Sequence, residues 1–304
     1  MSNIVVLEVL EGSRLKILQL YGRTTETVTY DIEKIKDWLR KQPHIPEIPD
    51  DELIERFMVT SKFHIEAVKL KLDAYFSART LIPELYGQDP TGERAQSVTD
   101  ALYLVPLPRT AELKRILCFK LRDWSVEKFD IIDILGYLMN IIEVRVREDC
   151  CISDIYIYDL QGISMGHVVK ITPQLLKKMN YLMENLYKVS VDGIHIINAP
   201  TFIESVLSMF SKYFKEKIIS RVKTHKTLES LHLAVPKCYL PTEFGGTQQS
   251  LAEYQEIWKM KLIQVKPLLD HLKTLKVNEL LRPVKLPEND FLGVNGNFRQ
   301  LDVD

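Results

Sequence analysis

The chain has 304 residues, 46% of them hydrophobic, enough for one large folded domain or two modest ones. Its 40 Lys and Arg against 41 Asp and Glu leave a formal net charge of −1, a balance that argues against a whole-chain nucleic-acid binder. The four cysteines, Cys118, Cys150, Cys151 and Cys238, form no C-x-x-C pair, so zinc and redox motifs find no support and reduced thiols are expected.

Met1 to Leu20 carries Glu8 and Glu11 inside its apolar run and has no basic flank, unlike a secretory signal. No window reaches about 18 uncharged apolar residues, so no membrane span is predicted and the cytosol is the expected compartment. Tyr30 to Lys41 spaces Ile32, Ile35 and Leu39 as a helix, with Asp31 as its expected N-cap. Pro43, Pro46 and Pro49 make a stiff connector that no helix crosses. Asp50 and Asp51 open the next helix, and Lys62 to Thr80 gives a longer one through Ile65, Val68, Leu72, Tyr75 and Phe76. Residues 1–90 therefore read as a helical domain, and the polar stretch from Gln88 to Asp100 as its boundary.

Beyond that boundary the pattern changes. Leu102 to Pro106, Ile116 to Leu121, Ile155 to Tyr158 and Ile194 to Ile197 are short β-branched or aromatic runs with strand character. Between or after them, Ser125 to Val146, Pro173 to Leu186 and Pro200 to Ile219 read as helices. That alternation predicts an α/β layer with a largely parallel sheet over residues 91–255. Residues 256–304 complete the chain with a helix and a tail, and Pro283, Pro287, Gly293 and Gly296 leave that tail to wrap the surface or fray.

The run Pro200 to Ile219 is unusually apolar. Wound as one helix, Phe202, Ile203, Val206, Leu207, Met209, Phe210, Tyr213, Phe214 and Ile218 cover an arc of roughly 180°, against about 100° for an ordinary surface helix. Such an arc suits a helix over an apolar space with an apolar medium beside it. It equally suits a helix wedged between two core layers. Lys212, Lys215, Lys217, Arg221, Lys223 and Lys226 follow, opposed only by Glu216, a local charge of about +5. Basic residues at the end of an apolar helix fit docking on anionic headgroups, and equally a solvated face of lysines.

Gly162-Ile163-Ser164-Met165-Gly166 matches the G-x-S-x-G nucleophile elbow. The elbow needs a turn running directly from strand into helix, whereas the next helix is expected only at Thr172-Pro173. No glycine-rich oxyanion loop precedes the serine, and nothing recommends His225, His232 or His271 as a base. No phosphate loop, dinucleotide fingerprint or H-E-x-x-H occurs either.

Asp159-Leu160-Gln161-Gly162, His167, Ile171-Thr172-Pro173, Gly193 to Pro200 (GIHIINAP) and Leu240 to Gly246 (LPTEFGG) stand in one order and spacing. On these landmarks the chain, from about residue 25 to 255, resembles the CRAL-TRIO lipid-binding family, in particular its tocopherol and retinaldehyde carriers. The resemblance implies an α/β CRAL-TRIO fold. An N-terminal helical bundle would stand beside a five-stranded, mostly parallel floor sheet, with Pro200 to Ile219 as a mobile helical gate. It implies a ligand pocket lined by Gly136, Asn140, Tyr158, Met165, Ile171, Met179, Leu182, Met183, Tyr187, Val191 and Ile194, to which the helical arc adds Phe210 on the gate's inner flank.

The same resemblance implies a membrane-contacting surface of Met165, Val169, Phe202, Val206 and Met209. Lys217 and Arg221 match phosphoinositide-contacting positions, while Ser190 and Asp192 replace the tocopherol carrier's lysine and arginine, which favours general attraction to anionic lipid. The implied function is intracellular lipid transfer without catalysis. One hydrophobic ligand (tocopherol, retinoid, carotenoid or a similar lipid) would be exchanged during peripheral, reversible association with anionic or phosphoinositide-containing membranes. The alternatives are a phosphoinositide-sensing adaptor and a serine hydrolase. No cofactor, metal or nucleic-acid partner is expected, and a monomer is the simplest state.

Overall fold

Four helices build the N-terminal bundle: α1 (Ser13–Leu20), α2 (Thr25–Leu39), α3 (Asp51–Thr60) and α4 (Ile65–Leu81). The computed structural model describes residues 12–187 and 190–284. The run at Met1 to Glu11 and the tail from residue 285, with Pro287, Gly293 and Gly296, lie outside the described residues. Helix α2 starts six residues before the expected cap, because Thr24 and Thr27 form a reciprocal capping box. Asp31 lies inside the helix instead, 3.6 Å from Arg23. Asp50 caps α3 as expected, accepting the Leu53 N–H at 2.7 Å.

The stretch taken as a loop boundary holds a helix, α5 (Glu93–Ala101), whose Ala95, Val98 and Ala101 are buried at spacings of three. Its apolar stripe is made of small side chains, too faint to register as periodicity. The sheet follows: β1 (Leu102–Pro106), β2 (Lys114–Leu121), β3 (Ser153–Asp159), β4 (Ser190–Ile197) and β5 (Val222–His225), paired in that order. Only the β1–β2 pair is antiparallel; β2 through β5 run parallel. The fold is therefore α/β with a five-stranded, mostly parallel sheet, as expected.

The crossovers carry the remaining helices. Between β2 and β3 runs α6 (Ile131–Glu148), capped by Asp130, which accepts from Ile132 and Asp133. Between β3 and β4 come α7 (Met165–Val169), α8 (Pro173–Tyr181) and a π-helical turn at Leu182–Leu186. Between β4 and β5 stand α9 (Ile203–Phe210) and α10 (Glu216–Ile219). The expected continuous helix from Pro200 to Ile219 is thus two pieces, broken after Phe210. Ser211 Oγ donates to the Ser208 carbonyl at 2.8 Å, a local bond that competes with helix continuation.

After β5, α11 (Leu228–Ala234) packs on β4 and β5, and α12 (Leu251–Gln264) runs along β1 before α13 (Lys266–Thr274). The α12 helix is tied to the sheet edge by Gln255 and Trp258, which donate to the carbonyls of Leu102 (2.8 Å) and Pro106 (2.9 Å). The division drawn at 255/256 falls inside this helix. Beyond α13, Arg282 straps the chain to α4 through a bidentate pair with Asp73.

One core cluster joins the N-terminal bundle to α6 and α8 through Phe57, Tyr75, Phe76, Leu135, Met139 and Leu175. A second gathers Ile116, Cys118, Ile155 and Ile157 of the sheet with Leu231, Phe244 and Trp258. At the seam between α4 and α6, Glu143 accepts from Tyr75 (2.7 Å), Arg79 (2.5 Å) and Arg147 (2.9 Å). Removing one member of so buried a pair leaves an uncompensated charge, at about 3–5 kcal/mol.

Candidate functional site

The parallel register sorts the sheet residues into two faces. Ile116, Cys118, Ile155 and Ile157 fill the second core. The opposite face aligns Phe119 with Tyr158, Leu117 with Tyr156, Tyr156 with Ile194 and Ile194 with Val222. Phe119, Tyr156, Tyr158, Ile194 and Val222 are all only half-buried. Tyr156 and Tyr158 stack with centroids 6.3 Å apart, and Phe119 leans on Tyr158 at 5.9 Å. Burial pushes the Tyr158 hydroxyl up to about 12, so it stays protonated. Phe119 packs against the second core, whereas Tyr156, Tyr158, Ile194 and Val222 belong to neither core, and large side chains left half-buried in this way mark a cleft.

Helix α9 stands over one end of this face. None of its residues is buried, and none belongs to either core. The wedged-core reading of this segment is thereby corrected. Between α9 and β5 lies an open groove of about 370 Å³, lined by Leu207, Ile219 and Val222 together with the polar Glu204, Ser208, Ser211 and Thr224. Val222 and Thr224 are in register with Ile194 and Ile196, on the cleft face. Lys215, in the break after α9, reaches Glu184 of the π-helical turn at 3.1 Å.

Of the expected lining residues, Tyr158, Ile171, Met179, Met183, Tyr187, Ile194 and Phe210 are half-buried, and Leu182 and Val191 are buried. Tyr187 hydrogen-bonds Tyr86 across 3.2 Å. Phe210 rests against Phe214, centroids 6.3 Å apart. Gly136 and Asn140 are buried against Gln88 instead: Gly136 faces its side chain, and Asn140 donates to its carbonyl at 3.0 Å. Met165 is exposed, on the same short helix as Val169.

Met165 (49% exposed) and Val169 (69%) open outward from α7, and Phe202, Val206 and Met209 are half-buried. Trp124, which the sequence reading did not single out, is 57% exposed beside them. Its ring lies on Gly162, whose φ of +84° and missing Cβ make room for it. The available signal was an aromatic residue in a polar loop, RDWSVEK, with no periodicity to bury it. Lys212, Lys217, Lys223 and Lys226 are exposed and carry no ion pair among the described residues, whereas Arg221 donates to the Asp192 carbonyl at 3.1 Å.

The elbow motif is resolved by its geometry. Helix α7 begins at Met165, directly after Ser164, and not at Thr172-Pro173 as expected, because Ser164 is its N-cap. His167, not weighed as a base in the sequence, has Nδ1 2.9 Å from Ser164 Oγ. The Ser164 backbone N–H also donates to that nitrogen at 3.1 Å, so the ring is the neutral Nε2–H form. Burial, then Lys170, lowers the His167 pKa, in keeping with a neutral ring. Its Nε2 is buried without a partner among the described residues, so no carboxylate orients it. The pair forms a helix cap, and the serine stands five residues past the end of β3.

Residues 103–246 match the CRAL/TRIO domain, and residues 24–94 match the Pinta-like UBA domain. Alpha-tocopherol transfer protein-like from Mus musculus is 26% identical over 229 residues, which are 73% of this chain and 66% of that protein. The chain thus spans just under two thirds of that relative's length. Clavesin-1 from Xenopus laevis is 28% identical over 249 residues, 79% of this chain and 73% of that protein. The crystal structure of Sfh5 aligns over 86% of this chain and 99% of its own, at 12% identity and a TM-score of 0.48. Residues 103–246 thus carry a match to the CRAL/TRIO domain, as the sequence landmarks imply.

Proposed function

We propose that this chain is a non-enzymatic lipid carrier of the CRAL-TRIO family that holds one hydrophobic molecule against the open sheet face and exchanges it at anionic membranes by displacing α9. One observation carries the reading: Tyr156, Tyr158 and Ile194 form a half-buried floor that belongs to neither core, and the helix at one end of that sheet face lends no residue to either core. A helix held so loosely moves at little cost in packing. The exposed side chains of Met165, Val169 and Trp124 supply apolar and interfacial groups for a bilayer surface. The unpaired lysines of residues 212–226 supply the attraction. No helix among the described residues is long and apolar enough to cross a membrane, so contact would be peripheral.

Relatives named for tocopherol transfer agree with cargo of this class, and tocopherol, retinoid or carotenoid would each suit an aromatic floor. Native mass spectrometry with organic extraction of the purified protein tests the proposal. One apolar molecule per chain is expected to copurify. Protein that neither carries nor takes up any apolar lipid would overturn it in favour of a sensing adaptor.

A further inference from the structure

The cleft floor changes character toward the start of β3. Tyr158 and Ile194 give way to Tyr156 and then Asp154, both on the cleft face by register. A cavity of about 80 Å³ opens there, walled by Ile142, Arg145 and Val146 of α6 together with Asp154, Tyr156 and Tyr187. A single water needs only roughly 10–15 Å³ of such space, so there is room for the end of a ligand.

The polar groups in this wall are fixed but not saturated. Arg145 donates through Nε to Asp149 at 2.9 Å, and through Nη1 and Nη2 to Asp154 at 3.1 and 2.6 Å. A guanidinium carries five N–H groups, so two remain to offer. Tyr156 donates its proton to Asp154 at 3.2 Å, which leaves a lone pair on the phenol oxygen. The buried charges are matched: Arg115 pairs with Asp149 at 2.6 Å and Arg145 with Asp154, while Arg56, at the edge of the wall, reaches the solvent-exposed Glu52 at 3.5 Å. Burial alone would push Asp149 up, but Arg115 and Arg145 outweigh it and hold the carboxyl far below the usual range. The cluster of Arg115, Asp149, Arg145 and Asp154 therefore has no net charge with which to draw a carboxylate or phosphate out of water.

We propose that this end of the cleft is a polar subsite for a neutral oxygen, a hydroxyl or carbonyl, at the terminus of an otherwise apolar lipid. Such an oxygen accepts from a spare Arg145 N–H, and a hydroxyl also donates to Tyr156. A pure hydrocarbon leaves both groups facing it unpaired, so the site selects against it. Carotenoid hydrocarbons are thereby disfavoured as cargo relative to alcohols and aldehydes of similar length.

The inference rests on the carrier reading, and the test separates the two. Phytol, phytane and phytanic acid compete for the chain against a fluorescent fatty-alcohol probe. Phytol is expected to bind roughly tenfold or more tightly than phytane, and more tightly than phytanic acid. Tyr156→Phe removes one oxygen and should narrow the phytol–phytane gap about three- to tenfold, the scale of one lost hydrogen bond, with phytane unchanged. Val146→Phe fills the cavity without touching the Arg145 bonds and should abolish the phytol preference. Equal binding of phytol and phytane, or a gap that both variants leave intact, refutes the subsite while the carrier stands. Tightest binding by phytanic acid refutes the neutral-oxygen assignment. Failure of the probe and all three competitors to bind refutes the carrier reading, and the subsite with it.

Discussion

Helix α9 offers a sharp test because its two flanks are predicted to fail differently. Phe202, Val206 and Met209 lie within about 60° of one another, and Leu207 and Phe210 lie on the neighbouring flank. Fully burying a large apolar side chain is worth roughly 1.5–3 kcal/mol, and these residues already hide part of their surface, so about half of that is available to a bilayer at each. Phe202→Asp with Met209→Asp should then remove about 1.5–3 kcal/mol of membrane affinity, a loss of roughly 10- to 150-fold. Because neither residue belongs to a core, the stability cost should be near 1 kcal/mol, a melting shift of about 2–4 °C. Two buried side chains would instead cost about 4–10 kcal/mol. Leu207→Ala, which widens the groove against β5, and Phe210→Ala should weaken lipid binding and leave vesicle association intact. Melting curves and vesicle cosedimentation on the same samples read both effects. Collapse of the fold by the double aspartate, or association that survives it, would sink the gate assignment.

Three further outcomes are expected. Ser164→Ala should leave lipid binding unchanged and cost about 1 kcal/mol as a lost helix cap, and wild-type protein should show no turnover of short-chain esters; serine-dependent hydrolysis would contradict this. Lys217→Glu with Arg221→Glu should slow transfer to anionic vesicles without altering equilibrium lipid binding, and the wild-type advantage should fade as salt rises; equal rates at low salt would move the docking surface elsewhere. His195, bonded to His225 across 2.8 Å, is lowered to about 4 by burial, then by His225 and Lys223. Its folded-state pKa lies below the unfolded value of about 6.5, so stability is full above that pH and declines as pH falls toward 4, by at most about 3 kcal/mol. His195→Gln should flatten that part of a denaturation profile, and an unchanged slope would assign it to other groups.

The first four strands were legible because β-branched and aromatic residues concentrate in them, and Asp50 and Pro173 mark helix starts by unambiguous chemistry. The fifth strand, Val222–His225, reads VKTH and lies at the sheet edge, where polar side chains are tolerated and the apolar signal is lost. Helix α7 was missed because Val168 and Val169 suggest extension, while the Ser164–His167 cap that overrides them involves a side chain rarely counted among caps. The break after Phe210 carries neither proline nor glycine, so the periodicity ran straight through it. The sheet-face residues Tyr158 and Ile194 followed from family landmarks. Asp154, Tyr156 and Arg145 could not be grouped in advance, since only the crossover of α6 and the register of β3 bring them to one end of the cleft.

The distribution of packing explains why one side of the cleft should move and the other stay. The wall formed by α4 and α6 is fixed by Phe57, Tyr75, Phe76 and Met139 in a shared core, and by Glu143 with its Arg79, Arg147 and Tyr75 partners. Shifting it would expose a desolvated ion pair, at several kcal/mol. Against that, α9 is held by half-buried side chains, and the segment after it by Lys215–Glu184, an exposed pair worth less than about 1 kcal/mol. An anionic headgroup would compete for Lys215 directly, so approach to a charged surface would weaken the Lys215–Glu184 pair that joins this segment to the π-helical turn. In the carrier proposed above, opening would thereby be coupled to arrival at a membrane.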